Sequence, residues 1–125
     1  MQFHSYKVNQ KHRVVKPTEN ASVWCVSEWA EVQLFGTASY NNWSSPGKDI
    51  LWAASSVNGE LQKIGDDPSN ALFIAKFRCD KNLEWHGYPV CPRNDDIPPE
   101  RVLEAWRVAN IIDKTDKRRI QKGQF

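Results

Sequence analysis

Residues 71–92 read ALFIAKFRCDKNLEWHGYPVCP. Ala71, Phe73, Ala75 and Phe77 fall on one side of a two-residue period, and Leu72 and Ile74 add apolar groups to the other before Lys76 and Arg78. This predicts a strand buried on both faces at its start and wet at its end. Cys79, Asp80, Lys81 and Asn82 supply turn chemistry, and the chain then resumes through Leu83, Glu84, Trp85, His86, Gly87, Tyr88, Pro89 and Val90. The expectation is a hairpin ending in a stiff aromatic loop, since Gly87 admits backbone angles other residues avoid and Pro89 holds Tyr88 extended. Trp85 and Tyr88 would then flank His86, either as an open surface that stacks on a ligand or as caps on the core.

The surrounding composition suits a globular chain. The 125 residues fit one domain, 1–125, large enough to bury a core without crosslinks. Six Trp against one Met mean that large rings fill the interior or line a surface. A net charge of +2 is too weak to argue for nucleic acid by itself, so distribution has to carry that argument. Lys114, Lys117, Arg118, Arg119 and Lys122 make residues 114–125 a basic tail, and Lys7, Lys11, His12, Arg13 and Lys16 form a smaller basic group near the amino end. No apolar run is long enough for a membrane span and the first residues lack a signal-peptide core, so a cytoplasmic location and no membrane partner are expected. An odd cysteine count of three agrees with a reducing compartment.

Upstream, residues 2–8 alternate weakly as a terminal strand, and a short extended piece is expected over Arg13–Val15. Ser22 to Phe35 reads two ways. As a helix it aligns Cys25, Val26, Trp29 and Val32 and stops at Gly36; as a strand it aligns Trp24, Val26, Ala30, Val32 and Leu34. Length and the glycine stop favour a helix starting near Ser27. Residues 37–48, TASYNNWSSPGK, carry no period and read as a long loop offering Tyr40 and Trp43. Asn58-Gly59 is a hairpin signal joining strands over 49–57 and 60–64, with a helix from Asp49 as the competing reading.

Downstream, Pro98, Pro99 and Glu100 open the clearest helix, because a proline's missing amide has no helical partner in a first turn. Val102, Ala105, Trp106, Ala109 and Ile112 line one face, predicted to lie on the sheet through Trp106. Thr115 could cap a further turn through Ile120. A basic second segment after a helix resembles a helix-turn-helix, but this one is too short to read a DNA groove. The fold class that follows is α+β: an antiparallel sheet of about four to five strands, a C-terminal amphipathic helix on one face and a second helix near 22–35.

Two chemistries have the residue types they need. Cys79, His86 and Cys91, with Cys25 as a distant fourth, offer zinc-type ligands, yet the close pairing of structural zinc sites is missing and buried apolar thiols are the simpler expectation. Metal-independent cleavage of RNA requires a base, an acid and a cation for the phosphate; His86, Glu84 or His4, and Arg93 are of those types. There is no phosphate-binding glycine loop, dinucleotide fingerprint or nucleophile elbow, and no cofactor is expected. The leading expectation is a small non-catalytic binding module, its surface built from Trp85, His86, Tyr88 and Trp43 with Lys117, Arg118 and Arg119 assisting. Its partner would be a protein or RNA. The alternative is an RNase-type enzyme centred on His86, Glu84 and Arg93. Neither reading specifies the oligomeric state.

Overall fold

The computed structural model describes residues 5–19 and 21–125. Its centre is β8 (Ile74–Cys79), where Ile74, Ala75, Lys76 and Phe77 are all buried. Successive side chains leave a strand on opposite sides, so four buried neighbours in a row mean that both faces are covered. The expected strand began at Ala71, but Ala71 is exposed and Ala71–Leu72 pairs in a different sheet; from Ile74 onward the strand is dry, and it opens at Arg78 as expected.

Beside β8 runs β9 (Glu84–Val90), antiparallel, from Ile74 opposite Val90 to Cys79 opposite Trp85. The hairpin expected here is present, but WHGYP is its second strand, not a loop beyond it. Gly87 explains the difference. It lies opposite Phe77, and a Cβ built on it would come within 2.3 Å of the Phe77 ring and 2.6 Å of the Tyr6 hydroxyl. The glycine therefore serves a close approach inside a strand, a use that composition does not distinguish from a turn. Pro89 fits a strand because β1 (Ser5–Tyr6), the neighbour on the other side of β9, pairs only with Glu84 and Trp85. Beyond that pairing a missing amide hydrogen breaks no ladder bond.

On the far side of β8 lies β3 (Ile50–Ala53), giving a four-stranded sheet in the order β1-β9-β8-β3 with only the β1–β9 pair parallel. The rest of the predicted 1–17 segment differs: residues 2–4 of the expected strand lie outside the described residues, Gln10–His12 form a single 3-10 turn, and Arg13–Val15 is not a strand.

A second antiparallel sheet contains β2 (Val23–Trp24), β6 (Gly65–Asp66) and β7 (Ala71–Leu72). Its β6–β7 turn is held by Asp67 Oδ1, which accepts from the backbone N–H of Ser69 and Asn70 at 2.8 and 2.6 Å. Asn58 and Gly59, both at positive φ, join β4 (Ser56–Val57) to β5 (Glu60–Leu61), so the turn signal was sound. The paired segments are shorter than 49–57 and 60–64, because Ile50–Ala53 pairs with β8.

Both readings of 22–35 hold in part, since the strand β2 is followed by the helix α1 (Glu28–Tyr40). Ser27 caps it, accepting from the N–H of Ala30, as the expected start requires. The helix does not stop at Gly36. A Cβ at that position would meet nothing within 4 Å, and the chain leaves the helix only at Asn41 and Asn42, the latter at φ 55. Residues 37–40 of the expected loop are thus helical. The buried face carries Glu31, Phe35 and Ala38, whereas Trp29 is 70% exposed. Phe35 meets Tyr6, Phe77 and Trp85, which places α1 against one side of the main sheet.

The C-terminal helix appears as α2 (Glu100–Val108), burying Val102, Leu103 and Trp106; Ile112 beyond its end is also buried, but Ala109 is exposed. Residues 114–121 are not a loose tail but a second helix, α3 (Lys114–Gln121), anchored by a fully buried Ile120. Asp113, not Thr115, is its cap: Asp113 Oδ1 accepts from the N–H of Asp116, and the Asp116 carboxylate accepts from the N–H of Asp113. Buried apolar residues from Trp24 to Ile120 form one continuous cluster, and the architecture is α+β. No helix among the described residues is long and apolar enough to cross a membrane.

Candidate functional site

Strand β9 sorts the expected site residues by parity. Trp85, Gly87 and Pro89 point inward, while Glu84, His86 and Tyr88 alternate with them on the partly open face. The Trp85 ring is therefore core and only 3% exposed, packed near Phe35, so it is not the open stacking surface expected from sequence. Trp43 is likewise enclosed, edge-on to Trp106 with ring centroids 5.9 Å apart. Its polar loop suggested exposure, but Trp43 N–H bonds Ala38 O and its own carbonyl accepts from Trp52 N–H, which draws the ring under the helix end.

Tyr88 has a different setting. It stacks on His12 with centroids 5.3 Å apart and planes 18° from parallel. Both rings line a groove of about 770 Å³, together with Lys11, Asn70, Cys91 and Arg93. His12 Nδ1 lies 2.8 Å from the carbonyl of Ser22, so the proton is on that nitrogen. Burial holds the His12 pKa below its ordinary value, against the pull of the Ser22 carbonyl. Ser22 is tied in turn to β9, its hydroxyl donating to Pro89 O at 2.6 Å.

The charges around the groove are unequal in their freedom. Asp67 is occupied by its own turn, and Asp96 pairs with the buried Lys76 at 3.0 Å. Lys11 and Arg93 have no ion pair among the described residues, and a Cβ on Gly123, just past α3, would lie 3.6 Å from the Arg93 side chain. The end of the basic helix therefore adjoins the groove at Arg93. Along α3, Lys117 is committed to Glu100 and Glu104 at 2.8 and 3.0 Å, which raises its pKa; Arg118 is exposed, and Arg119 lies over Phe125.

The residues of the types that RNA cleavage needs do not all assemble. His86 Nε2 lies 3.4 Å from Glu84 Oε1 and 3.6 Å from Asp80 Oδ2, but Arg93 is past the far end of β9. His4 lies outside the described residues. Nor do the cysteines gather around His86. Cys79 pairs across the hairpin with Trp85, on the inward side, and Cys91 follows the opposite end of the strand. Burial pushes both thiols up, which keeps them protonated and poor ligands.

Sequence reasoning singled out Tyr88 for binding and Arg93 for RNA cleavage, and both line this groove, but it gave no sign of His12 as the ring beside Tyr88. Parity along β9 was the available signal for separating Tyr88 from Trp85. Nothing in residues 9–13 marks His12 for a ring contact with a strand more than seventy positions away. No family model matches this chain, and neither a curated protein nor a solved structure matches it.

Proposed function

We propose that this protein is a non-catalytic binding module that takes single-stranded RNA in the groove walled by His12 and Tyr88. The observation that carries this reading is the stacked ring pair in a groove wall, with Lys11 and Arg93 also lining the groove and neither in an ion pair among the described residues. Unpaired bases stack on aromatic faces whatever their identity, and free cations track the phosphates between them. The basic end of α3 extends the positive strip past Arg93. Arg118 and Arg119 thus assist, while Lys117, already held by two carboxylates, contributes less.

The test is fluorescence anisotropy with an end-labelled single-stranded RNA over a salt series. Binding should weaken steeply as salt rises, and Tyr88→Ala should reduce affinity by the ~1–3 kcal/mol typical of a base-stacking ring. Arg93→Ala should lower both the affinity and the salt slope. Absence of binding at low salt would overturn the RNA reading and favour a protein partner. The same incubation examines the enzyme reading, which the Glu84–His86 contact alone favours: RNA cleaved by the native chain but intact with His86→Ala would replace a binder with a nuclease.

A further inference from the structure

We propose that the tip of the β8–β9 hairpin binds a divalent transition-metal ion, with zinc the best fit, through Asp80 Oδ2, Glu84 Oε1 and His86 Nε2. This site is separate from the groove and does not depend on the RNA reading. One ligand atom from each of the three residues lies within 4.8 Å of the other two. Two of the separations, His86 Nε2 to Glu84 Oε1 at 3.4 Å and to Asp80 Oδ2 at 3.6 Å, exceed an ordinary N–H···O bond. They instead match the ~3.4 Å edge of a tetrahedron whose metal–ligand bonds are about 2.1 Å long.

The backbone explains why these atoms converge. Glu84 and His86 are two positions apart on one strand and so leave the same face. Asp80 opens the turn and is fixed there, because its Oδ1 accepts from the N–H of Asn82 at 2.8 Å and of Glu84 at 3.1 Å. Those bonds, the Glu84 one foremost, hold the carboxyl below its usual range and leave Oδ2 turned toward the imidazole. On His86, Nδ1 is enclosed with no hydrogen-bond partner among the described residues, so Nε2 is the nitrogen open to a ligand. This is not a purely acidic surface cluster: a mixed set of one imidazole and two carboxylates is a zinc donor set, and three protein ligands leave at least one position for water. Arg78, directly across from His86, offsets only part of the charge of the two carboxylates. The competing arrangement is a protonated His86 bridging the same carboxylates with no metal.

Calorimetric titration of the chelator-dialysed full chain with zinc separates the two. One saturable site is expected, with a higher thermal midpoint in the presence of zinc. Glu84→Gln and His86→Ala should each weaken binding about tenfold or more and abolish the midpoint rise, while circular dichroism confirms that both variants fold. Cys25→Ser and Cys79→Ser should leave the affinity unchanged. The proposal is overturned if no saturable heat appears up to millimolar zinc, if Glu84→Gln and His86→Ala bind as the native chain does, or if affinity follows the cysteines.

Discussion

Two single residues determine how β9 and α1 meet. Gly87 is where β1 and β8 close on β9, since any side chain there would enter the space of the Phe77 ring and the Tyr6 hydroxyl. Gly87→Ala should therefore destabilise the fold by about 1–3 kcal/mol, the usual range for overpacking a filled core. A urea midpoint unchanged by the substitution would mean that the Phe77 ring yields at no cost. Below it, Glu31 is fully buried, accepting from the Tyr6 hydroxyl and from the Arg13 guanidinium, which also donates to Val26 O. Burial, reinforced by Glu31, raises the Tyr6 pKa and keeps the phenol protonated as the donor. Such a carboxylate is hidden in a sequence reading. A glutamate beside Trp29 and Val32 looks like the wet side of a helix, and only its partners, 25 and 18 positions upstream, make its burial tolerable.

Among whole elements, what was legible depended on whether one local pattern had a competitor. β8 and α2 were recognised as strand and helix because a run of apolar residues is bounded by turn residues or prolines, although the strand starts at Ile74 instead of Ala71 and the helix buries Leu103 but not Ala109. In α1 apolar side chains lie all round the helix, so periodicity could not select the Glu31–Phe35–Ala38 face over the one through Trp29. Strand β9 was masked because glycine and proline mark turns more often than close packing. The start of α3 repeats the lesson, because the expected cap, Thr115, lies two positions past the actual one, Asp113. Since Asp113 forms the reciprocal cap, Asp113→Ala should lose about 1 kcal/mol while Thr115→Ala changes little, a difference that denaturant midpoints of the two variants will resolve.

Over the whole molecule, the groove ties stability to pH through His12. An unfolded chain takes up this proton near the ordinary value of 6.5, whereas the folded imidazole, held lower by burial, takes it up later. Between the two values the unfolded state carries more protons, so this contribution is fully present above about pH 6.5 and declines as pH falls toward the folded value. His12→Phe keeps a ring against Tyr88 and removes the titration. Its denaturation midpoint should fall less than that of the native chain between about pH 7 and about pH 5, and equal slopes would remove His12 from the account. The groove wall was only half legible because its two rings, His12 and Tyr88, stand 76 positions apart and no local period links them.

The same separation bears on synthesis. Ser5 and Tyr6 find their strand partners at Glu84 and Trp85, and Ser22 is tied to Pro89. A ribosome adding about 5–20 residues per second therefore leaves the first strand waiting on the order of 4–16 seconds before its partner exists. During that interval the Glu31 carboxylate has Arg13 available but no finished sheet to enclose it, so the nascent chain stays open and vulnerable to proteases until β9 emerges.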